Sequence, residues 1–227
     1  MRIKTAIAAA AVCVLMAGCA APRPAPNISI DWSGDKRVVL VDPDVELSEI
    51  TFGGVPEARA DWTKAAKDFI DADIRNTLSG HTIDMVDTGT ITDAHEAQLV
   101  KLHGAVGSAI LLGVYLPILK LPNKNAPQDW TLGPGVSALR GKYKGDYALF
   151  VRIRDSYSSD TRKVMQLLFA AGGVAVPGGT QAGFASLVDL RTGKVVWFNM
   201  LARTSGDLRT EKPAAETVAA LLKGLPL

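Results

Sequence analysis

Cysteine is nearly absent from this 227-residue chain: there are two, Cys13 and Cys19. Cys13 lies in an amino-terminal segment that reads as a removable export signal, so no pair remains for a disulfide framework. The fold must then be held by its core alone. Histidine is almost as scarce, with His81, His95 and His103. His95 and His103 are about two helical turns apart, too far for both to ligate one metal directly, and His95-Glu96 lacks the second histidine of a zinc helix. No metal or other cofactor is expected. A basic block is also missing. With 25 Lys and Arg against 23 Asp and Glu, electrostatics gives no case for nucleic acid as a partner. There is no Gly-x-Ser-x-Gly elbow, and neither Gly133-Pro134-Gly135 nor Gly172-Gly173 continues into the Gly-Lys-Ser/Thr of a phosphate loop.

What is present begins at the amino terminus. Arg2 and Lys4 precede an apolar run from Ala6 to Met16, followed by the small residues Ala17 and Gly18. The run is too short to span a bilayer, and the pattern predicts a secretory signal over residues 1–18. Leu15-Met16-Ala17-Gly18-Cys19 resembles the lipobox of bacterial lipoproteins, with Met16 where leucine is usual. The resemblance implies cleavage before Cys19, diacylglycerol on its thiol and an acyl chain such as palmitate on its new amine. Two or three chains anchor stably where one is marginal. Ala20 after the cysteine, rather than aspartate, implies by resemblance the outer membrane, facing the periplasm. Removing residues 1–18 removes two bases and no acid, which leaves a formally neutral protein. Residues 19–30 are expected to be the lipidated cysteine and a proline-rich tether, and residues 31–227 a single periplasmic domain.

Within that domain, Arg37 to Asp42 is a short apolar run closed by Pro43, suited to a strand buried on both faces. Val45, Leu47 and Thr51 alternate with polar residues as an edge strand or ordered loop that ends at Gly53-Gly54. Trp62, Ala66, Phe69, Ile74 and Leu78 recur at helical spacing and predict a helix over 61–78. Ile83–Val86 suits a strand. Asp93 to Glu96 has a capping-box pattern that opens a helix with Leu99 and Leu102 inward and Gly104 as its stop. Ala109–Leu116 reads as a further strand. The segment Pro117–Lys144 is too long for an ordinary connection and is either functional or mobile. Tyr147–Arg154 alternates as a clear strand. Gly183–Asp189 and Lys194–Met200 form a hairpin whose turn uses Gly193, and a final helix starts near Pro213. The class is α/β (α+β): a mixed β-sheet with helices packed on it, strand–helix–strand–helix–strand, then antiparallel strands and a carboxy-terminal helix.

This order, the lipobox and the closing Asp189-Leu190-Arg191-Thr192-Gly193-Lys194-Val195 resemble the periplasmic domains of the curli secretion-channel lipoprotein and the amino-terminal domain of the Tol system's B protein. In those families the last hairpin often carries an aspartate, Thr-Gly and an aliphatic strand. Pro43–Leu47 and Gly183–Gly193 also look like segments of uncharacterised proteobacterial lipoproteins, a likeness that implies no activity.

Candidate chemistry is thin. Asp42-Pro43-Asp44 puts two carboxylates at a strand end, where they serve a cation or acid–base role, or simply make a turn. Ser156, Ser158 and Ser159 suit a nucleophile only if a distant base reaches them, and otherwise form a polar turn before the next helix. The most informative feature is the insertion at 161–179, which is apolar nearly all round and sits where a short turn would suffice. It packs into the core, forms an interface through Val164, Met165, Leu167, Leu168 and Phe169, or enters the membrane. Trp130 and Trp197 are candidates for an aromatic ligand platform. The reading is a lipid-anchored accessory or assembly protein of an envelope complex, not an enzyme. It would contact the membrane through its lipid and a protein partner or further copies of itself. The alternatives are a binding module for a small glycan or lipid fragment, then a serine hydrolase.

Overall fold

The computed structural model describes residues 30, 36–81, 83–115, 121–173, 176, 178–204 and 207–226. The signal segment, Cys19 and the tether lie outside these. Strands β1 (Arg37–Leu40) and β2 (Asp44–Ile50) both run parallel to the long β5 (Tyr147–Ser158), β1 along Tyr147–Leu149 and β2 along Arg152–Ser158. They are one path along the same edge of β5, broken at Asp42-Pro43, where proline has no N–H to give the ladder. β3 (Pro56–Ala58) flanks β2 antiparallel, and β4 (Asp84–Asp87) flanks β1 parallel. On the other edge of β5 lies the antiparallel hairpin of β6 (Gln181–Asp189) and β7 (Val195–Arg203). β2 is thus interior, and the sheet is mixed.

Helices cover both faces. On one, α1 (Ala60–Ser79) and α5 (Glu211–Leu221) pack over Val38, Leu40, Leu149, Ile153, Leu187 and Trp197. Ala66, Ile70, Ile74 and Leu78 are the buried stripe of α1, at the spacing the sequence shows. On the other face, α2 (Ala94–Ile110) and the short α3 (Ser137–Tyr143) cover Val39, Val41, Ala148, Phe150 and Phe198. Alternate residues of the β1 run therefore enter two different cores, as a run without polar alternation requires.

Two sequence expectations are corrected. Gly104 does not stop α2. The helix continues to Ile110 and into a π-helical turn over Leu111–Tyr115, so the expected strand Ala109–Leu116 is helical over its described part, 109–115. Gly104 and Gly107 are there for close packing: a Cβ on the first would lie 2.7 Å from the Arg152 guanidinium, and on the second 2.0 Å from the Phe184 ring. Pro117–Lys144, in its described part, is also not a bare loop. It forms 3-10 turns at Pro127–Asp129 and Pro134–Val136 and then α3, burying Leu132, Val136 and Leu139. It is pinned to the β6–β7 turn, where Leu132 N–H donates to Gly193 O at 2.8 Å. Gly193 has φ +74°, and a Cβ there would lie 2.2 Å from Gly133 O, so both the turn and the crossing demand glycine.

Candidate functional site

The helix α4 (Asp160–Ala171) follows directly on β5, with Ser159 between them. Ser159 caps it by accepting the Arg162 N–H at 3.3 Å, and Asp160 in its first turn complements the helix dipole and pairs with Lys163 at 2.8 Å. None of its residues is buried. Arg162, Met165 and Gln166 are partly covered and form the underside, with Gln166 Nε2 donating to Ser158 Oγ at 3.0 Å. The opposite side is apolar and open: Leu167 is 73% exposed, Leu168 62%, Val164 59% and Phe169 45%. Packing into the domain's own core is thereby ruled out for α4. Its first turn touches the β2–β3 turn, where Arg162 Nη1 donates to Phe52 O at 3.5 Å and where Phe52 and Val55 are also exposed. Six of the nine large exposed apolar side chains among the described residues belong to these two elements, a concentration that scattered surface hydrophobics do not produce.

The other predicted site residues are dispersed. Trp197 is only 6% exposed, in the core beneath α1 and α5, while Trp130 packs against the cluster on the other face. They share no surface, so they form no platform. Ser156 Oγ donates to Thr180 O at 3.2 Å and accepts the Thr180 N–H at 3.0 Å; Ser158 holds Gln166 and Ser159 caps α4. Among the described residues none of these serines meets a base. Asp42 pairs with Lys67 at 2.7 Å, and Asp44 with Arg154 at 2.8 Å and with Arg152. Among the described residues no three His, Cys, Asp or Glu side chains are placed to hold a metal ion.

Two arrangements escape sequence reading. His103, not Leu102, faces the sheet from α2, stacked on Phe150 with its Nε2 2.6 Å from Ser186 Oγ. Burial, helped by the charge of Arg152, lowers this imidazole to about 3. The pair is closed to solvent and has no carboxylate behind the histidine among the described residues, so it is a core hydrogen bond rather than a nucleophile and base. The helical stripe Leu99–His103–Gly107–Ile110 is the signal that could have found it. Second, the Trp62 ring carries two guanidinium groups over it, Arg59 at 4.1 Å and Arg209 at 4.7 Å. Beside it, Asp155 accepts from Tyr157 Oη and from Gln181 Nε2 at 2.8 Å, and Thr217 Oγ1 donates to Gln181 Oε1 at 3.0 Å. Burial pushes the Asp155 carboxyl up, with those hydrogen bonds opposing it. This network joins β5, β6 and α5.

No protein-family model matches the chain. No curated protein matches it either. Several solved structures are similar to it. The PelC dodecamer from Paraburkholderia phytofirmans is 12% identical, with a TM-score of 0.40, over 90% of this chain and 97% of that one. The lipoprotein GNA1162 from Neisseria meningitidis is 13% identical, with a TM-score of 0.35, over 83% and 95%. The LpoB C-terminal domain from Salmonella enterica is 14% identical, with a TM-score of 0.30, over 80% and 88%.

Proposed function

We propose that this protein is an accessory or assembly component of a bacterial envelope complex. A lipid on Cys19 holds it to the outer membrane on the periplasmic side, residues 31–227 act as one unit, and it works by protein contact rather than catalysis. The observation that carries this reading is α4, a capped helix with no buried residue that turns Val164, Leu167, Leu168 and Phe169 to solvent. Apolar side chains gathered on one projecting element gain free energy when another surface removes them from water. The lipobox resemblance at Cys19 supports the anchor, which would keep the domain near the membrane and raise its effective concentration for partners there.

The test is the mass of the full chain, extracted from membranes in mild detergent, measured by light scattering on a sizing column. A discrete oligomer, or a stoichiometric protein that elutes with it, supports the reading. A lone monomer at every concentration counts against contact through α4. A chain that is released from membranes without detergent removes the anchor.

A further inference from the structure

The break between β1 and β2 opens a cleft of about 350 Å³ at the carboxyl end of β1, between α1 and α2. This is the end of a parallel strand at which α/β folds leave room for a ligand. Four cations line it, Lys67, Lys101, Arg152 and Arg154, against two carboxylates, Asp42 and Asp44. Glu46 lies 3.6 Å from Arg154 but lines a neighbouring groove. The charge excess stays positive even when it is counted.

The acids do not use up the cations. Asp44 takes both arginines, Arg154 through Nη2 at 2.8 Å and 3.0 Å and Arg152 through Nη1 alone. The remaining donors of Arg152 make no hydrogen bond among the described residues, and Lys101 makes no ion pair there. Asp44 therefore serves as the brace that aligns two guanidinium groups on one face of β5. Asp42 does the same for the wall: it holds Lys67 at 2.7 Å and accepts the Ile91 N–H at 3.2 Å. Gly104 on α2 leaves room for this guanidinium, since a Cβ there would come within 2.7 Å of Arg152 Nη1.

We propose that this cleft binds a phosphate-bearing ligand. The Arg152 guanidinium keeps planar donors for phosphate oxygens, while Arg154, whose Nη groups are taken by Asp44 and by the Asp44 and Ile153 carbonyls, contributes charge, and the ammonium groups add charge without fixed direction. A phosphomonoester carries close to two negative charges at neutral pH, which matches the four cations against two carboxylates in the lining itself. Val45, Ile91 and Val100 on its walls give the ligand's carbon part an apolar surface. This site is separate from α4, so it stands or falls independently of the assembly reading.

The experiment titrates the full chain in detergent with inorganic phosphate and with glycerol 3-phosphate by calorimetry. In parallel it titrates the same detergent-held chain with phosphatidylcholine mixed micelles with and without phosphatidic acid, because a lipidated chain would enter any vesicle through its anchor. Lys101→Gln is the variant, chosen because Lys101 is exposed and unpartnered, so the fold should be unchanged. Saturable binding that weakens roughly tenfold in Lys101→Gln supports the site. Binding of the soluble phosphates assigns a free ligand, and binding confined to phosphatidic acid micelles assigns a lipid headgroup. Binding of neither probe, or binding indifferent to Lys101→Gln, overturns the proposal.

Discussion

His103 Nε2 and Ser186 Oγ are 2.6 Å apart and bridge α2 to β6 inside the sheet's second core. The imidazole is held to about 3 by burial, against about 6.5 for an unfolded histidine. A base with a depressed value gives stability that is complete above about 6.5. That stability is lost as pH falls toward 3, because the unfolded chain takes up the proton first. The slope approaches ~1.4 kcal/mol per pH unit. Urea unfolding between pH 7 and pH 4.5 should show the wild type losing stability faster than His103→Gln. Parallel losses in the two proteins would mean that the imidazole is not the titrating group.

Leu167 and Leu168 sit on the open side of α4, so replacing both with glutamine removes apolar surface without removing a contact inside the domain. The thermal midpoint should barely move, since surface changes of this kind stay within about 0.5 kcal/mol. Oligomer or partner mass should fall. A variant that unfolds would instead place these leucines in packing the isolated chain does not show.

Gly107 marks the closest approach of α2 to the sheet. Gly107→Ala should destabilise by about 1–3 kcal/mol through overpacking against Phe184, despite alanine's better helix propensity. Phe184→Leu in the same chain should recover part of that loss, and a double-mutant cycle by urea denaturation reads the coupling. Additive effects would deny the contact.

Glu96 opens α2 yet reaches across to α3, accepting Lys142 Nζ at 2.7 Å and Tyr143 Oη at 3.1 Å. Lys142 is largely in solvent, so the ion pair itself contributes little, while the tyrosine hydroxyl depends on the carboxylate. Glu96→Gln should therefore retain more of the thermal midpoint than Glu96→Ala. An equal drop would shift the weight from the hydrogen bond to the charge.

Elements whose cause is local are legible in the chain before it folds. The α1 stripe from Ala66 to Leu78, the doubly buried run of β1 and the Asp189–Gly193 turn all follow from periodicity or turn chemistry within a few residues. The helical nature of α4 is equally local, resting on Ser159 and Asp160. Four things were decided only in three dimensions. Gly104 looks like a helix stop until Arg152, 48 residues away, occupies the space where its Cβ would be. His103 looks like a surface histidine until Ser186 and Phe150 close around it. Trp130 and Trp197 look alike until the sheet puts them in separate cores. The apolar side of α4 looks like core until the fold turns only Arg162, Met165 and Gln166 toward the domain and leaves Leu167 and Leu168 in water. Local rules act through bonded neighbours and hydrogen bonds of a few residues, whereas facing and burial depend on which distant strands arrive alongside.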